Sequence, residues 1–506
     1  MGGERSVSPA DMRFNHSRDH PGVSDSVNTD CELKQIIKEK TRKSQEKKMK
    51  NLTLENIAAA CGGSYHGSET DRNREVTDIT TDSRKAGEGS LFAAIKGERV
   101  DGHSFINQVF EKGALCVLCE KEPELSEGVT GNWILVSSTL QALKDIAEFY
   151  RQQLSLRVVG ITGSVGKTST KEAVASVLSE KYCVLKTLGN FNNELGLPLT
   201  VFRLREEHEA AVLEMGISDF GEMHRLSKIA RPDVCVMTNI GQCHLEFLHD
   251  RDGILRAKSE IFDFLAPDGK IVLNGDDDKL STITEIKGIR PIFFGIESGR
   301  EIYADEIQPM GLKGISCRIH VGEESFSVVI PIPGYHMVYN GLAATAVGLV
   351  MGLTLEEIKN GLEKLEPVSG RFHIIEKNDM TIIDDCYNAN PVSMKASLDV
   401  LKDAEGRKVA ILGDMFELGE NEAVLHASVG VHAAGNAIDL LVCVGSNSRH
   451  MAEAAFETGG CGEVLQVPTL EALLEVLPKL VQKGDTILVK ASHGMHFEKV
   501  VAELTA

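Results

Sequence analysis

Basic residues are in short supply. Lys and Arg number 54 against 74 Asp and Glu, a formal net charge of −20 over 506 residues. Sequence-independent binding to nucleic acid or to an anionic membrane needs clustered cationic charge, and this balance argues against both. Cysteine is sparse as well: eleven in the whole chain, far below the density of a disulfide scaffold, which points to a reducing cytosol. Cys116 and Cys119 form a single C-x-x-C with no second pair after it. Their context, ALCVLCE, reads as a buried strand rather than a zinc site. The polar N-terminus lacks the apolar core of a secretory signal. The one stretch resembling a membrane span, GYHMVYNGLAATAVGLVMGL at 334–353, is interrupted by His336, Asn340 and glycines, and reads as a buried helix of a water-soluble core. No short internal repeat is present, which argues against a solenoid.

At about 150 residues per domain the length implies three domains and a tail. Residues 1–48 are polar and turn Lys-rich from Lys34 to Lys48. They hold too little apolar material for a core and are expected to be disordered or a loose helix. Met49 opens an ordinary domain start, MKNLTLENIAAACGG, an amphipathic helical pattern with a Gly-Gly stop. Residues 49–152 alternate short strands and helices and form a small α/β domain. Residues 153–367 begin a second βα series at Leu156–Ile161, with a small antiparallel insertion at 301–333. Residues 368–506 restart the alternation a third time, the pattern of a doubly wound, Rossmann-like parallel sheet.

The strongest chemical signal is VVGITGSVGKTSTKE, 158–172, a Gly-rich turn between a strand and a helix. Gly163 and Gly166 permit tight turns, backbone N–H groups can face a phosphate, and the helix N-terminus adds positive potential. Lys167 can reach the β- and γ-phosphates and the Thr168 hydroxyl can hold Mg²⁺. The loop departs from the commonest spacing, because Ile161 stands where its first glycine would fall. Glu214 ends an apolar strand, where an α/β sheet binds ligands; it either holds a metal or water beside the nucleotide or is an exposed strand-end carboxylate. His244 and Lys258 follow in TNIGQCHLEF and LRAKSEIF. A lysine beside Mg-ATP would repel the metal unless chemically altered. Polar clusters also follow strands at DDCYNANP (384–391), GDMFELGE (413–420) and KASHGMHFE (490–498). Each alone reads as a solvated loop, but together they suggest a site between two domains.

With these motifs in place the chain from about 50 to 505 resembles the muramoyl ligases, ATP-dependent amide-forming enzymes of peptidoglycan precursor synthesis. The marks are TTDSRKAGEGSLFAAIKGERVDGHSF, TGSVGKTS, GNFNNELGLPLT, EMG, TNIGQCHLEF, AKSEIF, NGDD, SGR, DDCYNANP, LGDMFELG and KASHGM. DDCYNANP and LGDMFELG favour the member that adds D-alanyl-D-alanine to UDP-MurNAc-tripeptide over those adding one amino acid.

The resemblance implies three α/β domains: a UDP-sugar-binding domain, a central P-loop ATP-binding domain with a parallel sheet, and a Rossmann-like C-terminal domain. It implies that Ser83, Arg84, Asp101, Gly102 and His103 lie near the UDP end of the substrate, and that Asn190, Asn192 and Asn193 face the substrate. Thr162, Gly163, Ser164, Val165, Gly166, Lys167, Thr168 and Ser169 would surround the ATP phosphates, and Asn274, Asn340, Arg371 and Asp385 would contact the nucleotide. Thr168 and Glu214 would serve one Mg²⁺, and His244 with a carbamylated Lys258 a second; Lys167, Glu214, His244 and Lys258 form the expected catalytic set. Met337 stands where the family usually has Asn, and His493 where it has Arg. The expected protein is a cytoplasmic, monomeric ligase acting through an acyl phosphate, with no nucleic-acid or integral-membrane partner. The rivals are a related ligase with another amine substrate and a nucleotide-binding protein without turnover.

Overall fold

The computed structural model describes residues 49–506, save Glu98, Arg99, Gln242, His244 and Ser298. The expectations placed on residues 1–48 and on His244 therefore lie outside the described residues. Three sheets carry the fold. The first orders its five strands Ser64–His66, Asn132–Leu135, Cys116–Cys119, Ser90–Ala93 and Asp78–Thr80, all parallel except the first pair. The C-x-x-C is one strand, buried throughout. Alternation along a strand sends its two thiols to opposite faces, and they join different apolar clusters.

The second sheet has nine strands in the order Glu324–Ile330, Ile315–Val321, Ile302–Pro309, Ile292–Gly295, Lys270–Asn274, Val234–Met237, Arg157–Thr162, Ala210–Glu214 and Val184–Lys186. The antiparallel insertion is not a separate layer. Its first strand pairs parallel with Ile292–Gly295, and two hairpin pairings then extend the same sheet. The strand leading into the Gly-rich loop lies between Ala210–Glu214 and Val234–Met237. The connections leave it in opposite directions, which opens a crevice at the C-terminal ends of these strands. The helix His336–Val350 is buried along most of its length and packs on the helix Lys167–Leu178. This explains an apolar stretch that no membrane requires; among the described residues no helix is long and apolar enough to cross one.

The third sheet orders His373–Lys377, Met380–Asp384, Asp485–Lys490, Arg407–Gly413, Leu440–Val444 and Glu463–Val467, with only the first pair antiparallel. One apolar cluster runs from the helix side of the nine-stranded sheet into this third sheet.

The opposite face of the nine-stranded sheet shares its core with the first sheet. The helix Thr139–Gln152, capped by the Ser138 hydroxyl on the Gln141 N–H, makes the join. Tyr150 donates its hydroxyl to the Leu204 carbonyl at 2.6 Å. The buried Arg151 guanidinium donates to the carbonyls of Ala230, Leu154 and Leu156 at 3.1–3.2 Å. Truncating it strands three carbonyls and removes a fork no water can replace. Arg151→Ala is therefore expected to lower unfolding stability by about 3–5 kcal/mol, read as a shift of the urea midpoint at unchanged slope. A loss below about 1 kcal/mol would assign Arg151 the role of a surface residue.

Candidate active site

The Gly-rich loop is shaped from behind by the next strand. A side chain on Gly163 would meet the Thr238 hydroxyl at 2.0 Å, and Gly166, at φ +84°, starts the helix in a conformation that disfavours other residues. The Thr238 hydroxyl and the Asn239 amide both donate to the Val165 carbonyl, at 2.6 and 2.9 Å. Asn239 also takes the Val165 N–H on its side chain and the Ser164 N–H on its carbonyl. These two loop amides are thus held by Asn239 and do not face inward as the spacing suggested. The first turn of the helix Lys167–Leu178 supplies the inward donors, because its N–H groups have no partner within the helix. Thr238 and Asn239 escaped sequence reasoning; the only sign was their place at a strand end in TNIGQCHLEF.

Lys167 folds over the loop and donates to the carbonyls of Gly163 at 2.8 Å and Ser164 at 3.3 Å. Burial lowers its pKa, and the charge of Glu214 opposes that shift. Glu214 ends the strand Ala210–Glu214 in a buried position. Its Oε1 accepts from the Thr168 hydroxyl at 3.2 Å and the Asn192 amide at 2.8 Å. Its Oε2 is buried without a hydrogen bond. An orphaned carboxylate oxygen beside a threonine hydroxyl is the donor chemistry a hard divalent cation takes, so these residues fit Mg²⁺.

Lys258, on the helix Arg251–Ser259, is almost wholly buried. Its pKa is lowered to about 8, first by burial and then by the charge of Lys167. No hydrogen bond or ion pair joins its ammonium to another described residue.

The loop opens into a cavity of about 770 Å³ that reaches from Lys167, Thr168 and Glu214 across to Asp385, Tyr387 and Lys490 of the third sheet. Ser164, Val165, Gly166, Ser169, Asn190, Asn192, Asn193, Asn274, Asn340 and Arg371 line it too; Thr162 and Gly163 lie outside the lining. Several of these are also braces. Asn193 accepts the N–H groups of Leu195 and Gly196. Asn274 donates to the Thr238 carbonyl and accepts from the Asp276 N–H. Asn340 accepts the Thr170 hydroxyl at 2.8 Å and donates to the Met337 thioether at 3.2 Å, so Met337 acts as a buried acceptor for its own helix. Asp385 accepts from Lys490 at 2.6 Å and from the Ser397 hydroxyl at 2.7 Å.

Arg371 reaches within 3.4 Å of the Thr168 hydroxyl, and its guanidinium lies over the Tyr387 ring, 4.1 Å from the centroid. His493 packs against the same ring at 5.4 Å. Tyr387 is thus an aromatic neighbour of both the Arg371 guanidinium and the His493 imidazole. Burial raises the pKa of the Tyr387 phenol. Other parts of these motifs are scaffold. Asn390 and Ser393 cap the helix Pro391–Lys402 reciprocally, with proline at its first position. Asp414 accepts the N–H groups of Asn447 and Ser448.

Ser83, Arg84, Asp101, Gly102 and His103 lie in the turn and short helix that flank strands of the first sheet, outside the lining of this cavity. Asp82 accepts the Arg84 guanidinium at 2.9 Å through both oxygens, and the Ser83 carbonyl accepts from Lys112. Asp101 caps the short helix Gly102–Phe105 and accepts from His103 Nδ1 at 2.6 Å, while His103 Nε2 accepts the Glu120 N–H at 3.0 Å.

Three family models cover most of the described chain. The Mur ligase family catalytic domain matches residues 75–151, the Mur ligase middle domain 161–348, and the Mur ligase glutamate ligase domain 370–493. The UDP-N-acetylmuramoyl-tripeptide–D-alanyl-D-alanine ligase of Bacillus subtilis is 38% identical over 458 residues, 89% of this chain and 98% of that one. A crystal structure of MurF from Acinetobacter baumannii superposes with a TM-score of 0.80 at 36% identity, covering 90% of this chain and 98% of that one. The MurF ligase of Thermotoga maritima, solved in complex with ADP, gives 0.73 at 31% identity, covering 85% and 97%.

Proposed function

The chain belongs to the Mur ligase family, and from that premise we propose that it joins D-alanyl-D-alanine to UDP-N-acetylmuramoyl-tripeptide, using ATP. The observation that carries this reading is the bond from the half-buried Thr168 hydroxyl to the buried Glu214 carboxylate beside Lys167, set in a cavity that residues of the third sheet and its loops complete. It stands alongside near full-length similarity to a ligase of that name. ATP phosphates sit over the first turn of the helix Lys167–Leu178, and the base takes the apolar end of the cavity beside Phe294, Ile332 and Met337. Ser83, Arg84, Asp101, Gly102 and His103 hold the UDP end of the sugar nucleotide.

The terminal carboxylate of the tripeptide attacks the γ-phosphorus, ADP leaves, and an acyl phosphate forms. The dipeptide amine, having lost a proton, then attacks the acyl carbon, and the tetrahedral intermediate expels phosphate. Lys167 and Arg371 offset the charge that spreads over the transferred oxygens. Thr168 and Glu214 would hold one Mg²⁺, and His244 with carbamylated Lys258 would hold a second. Bound there, Mg²⁺ would neutralise phosphoryl charge. Carbamylation of Lys258 is chemically accessible. Its low pKa leaves a neutral amine fraction near pH 7.5; that amine adds to carbon dioxide, a C–N bond forms, and one proton is released. The product is an oxygen donor in place of a cation. A cytoplasmic location goes with ATP as a substrate and with free thiols throughout the described cysteines.

The test is phosphate release from ATP with each substrate omitted in turn. Release is expected only with UDP-MurNAc-tripeptide and D-alanyl-D-alanine together. Release with a single amino acid instead would move the protein to another branch of the family, and none under any combination would make it a nucleotide-binding protein without turnover.

A further inference from the structure

Lys171 is buried, with a side chain only 1% exposed, on the helix that begins at Lys167. Residues 168, 171 and 172 share one helical face, and that face meets the strand carrying Glu214. The Lys171 ammonium lies 3.1 Å from Glu172 Oε1 and 3.8 Å from Glu214 Oε2. It is the cation facing the Glu214 oxygen that has no hydrogen bond. Glu172 continues the series outward to Lys186 at the sheet edge. Charges thus alternate from the buried site to the surface: Glu214, Lys171, Glu172, Lys186. Both carboxylates line the same cavity.

We propose that Lys171 is a positioning residue of the ligase reaction, holding the free oxygen of Glu214 in place for the divalent cation while weakening that cation's binding. This rests on Glu214 being a metal ligand, as proposed above. The physical argument has two sides. Oε1 is fixed by Thr168 and Asn192, so an attraction on Oε2 sets the rotation of the carboxylate plane. The same positive charge stands close to where a divalent cation must sit and repels it. Without Lys171, Glu172 and Glu214 share one cavity wall with no ammonium between them. The site becomes more negative and less well ordered. Cation affinity should rise while turnover falls, a combination that loss of fold cannot produce.

The experiment titrates Mn²⁺ into the full chain without nucleotide, follows the free ion by electron paramagnetic resonance, and measures kcat separately at saturating Mg²⁺. Lys171→Met is expected to bind Mn²⁺ roughly threefold or more tightly and to lose about tenfold or more in kcat, and Lys171→Arg to recover most of kcat with near-normal Mn²⁺ affinity. Lys171→Gln carries the same test if the Met variant does not fold. Unchanged or weaker Mn²⁺ binding in a folded variant, or unchanged kcat, overturns the proposal. Glu214→Ala separates the two levels of inference. Loss of Mn²⁺ binding there supports the metal site independently of Lys171, whereas full retention overturns the metal reading and the proposal built on it.

Discussion

Lys167→Ala should lower kcat by about 10³-fold or more and leave binding of the UDP-linked substrate within roughly twofold. The two effects part because the two ligands have different seats. Lys167 sits over its own loop, where its ammonium is held by the Gly163 and Ser164 carbonyls. Half-buried in the cavity wall, it is less screened by water than a surface lysine, so its charge acts more strongly on the phosphoryl oxygens. An alanine supplies no charge and leaves the loop carbonyls facing the phosphates with nothing between. The residues proposed for the UDP end lie in connections between strands of the first sheet, outside the cavity lining. Steady-state phosphate release and calorimetric titration with the UDP substrate measure the two quantities. Loss of both in a folded variant would contradict the separate seats.

Lys258→Ala is expected to cost about 10²–10⁴-fold in activity, with a normal melting temperature. The side chain is buried and meets no described hydrogen-bonding partner, and the charge of Lys167 acts on it most strongly. As a bare ammonium it would oppose both Lys167 and a divalent cation. As a carbamate it becomes the oxygen ligand Mg²⁺ prefers. Short carboxylic acids such as acetate should restore part of the alanine variant's activity by filling the vacated position. The decisive measurement is a ¹³C carbamate resonance from wild-type enzyme equilibrated with ¹³C-labelled bicarbonate. A fully active enzyme with no such resonance would falsify the carbamate.

Much of this site was legible in the sequence because its chemistry is local. TGSVGKTS places glycines, lysine and threonine within one turn, and EMG at a strand end places Glu214 opposite them. The βα alternation gave the three sheets for the same reason: the periodicity is set by nearest neighbours. What could not be read is what the third dimension brings together. Asn239 holds the Ser164 and Val165 amides, yet nothing around it separates it from a solvated asparagine. Lys171 is a helix lysine of a kind that usually lies on the surface. Strands Val184–Lys186 and Ile292–Gly295 are too short and mixed to show a period. Asn390 and Asp414 stand in the most telling motifs, but Asn390 caps a helix and Asp414 holds the Asn447 and Ser448 N–H groups, work that a motif cannot distinguish from chemistry. Met337 is the converse case. Read as a missing contact, it proves to accept a hydrogen bond from Asn340.

The shared core beneath the helix Thr139–Gln152 bears on how such ligases can exchange parts. A cut near residue 152 falls between two family models, yet Tyr150 and Arg151 on one side bond carbonyls of Leu204 and Ala230 on the other. The apolar cluster beneath the helix does not end at the cut. A first module borrowed from a relative must therefore bring a helix face that matches the foreign sheet, residue for residue. Recombination that respects the reading of sequence modules but ignores this surface yields a chimera with a gap in its interior. Divergence of the first module is then free at the distant loops and tethered along this helix, so a change in its loops disturbs the interior less than a swap of the whole module.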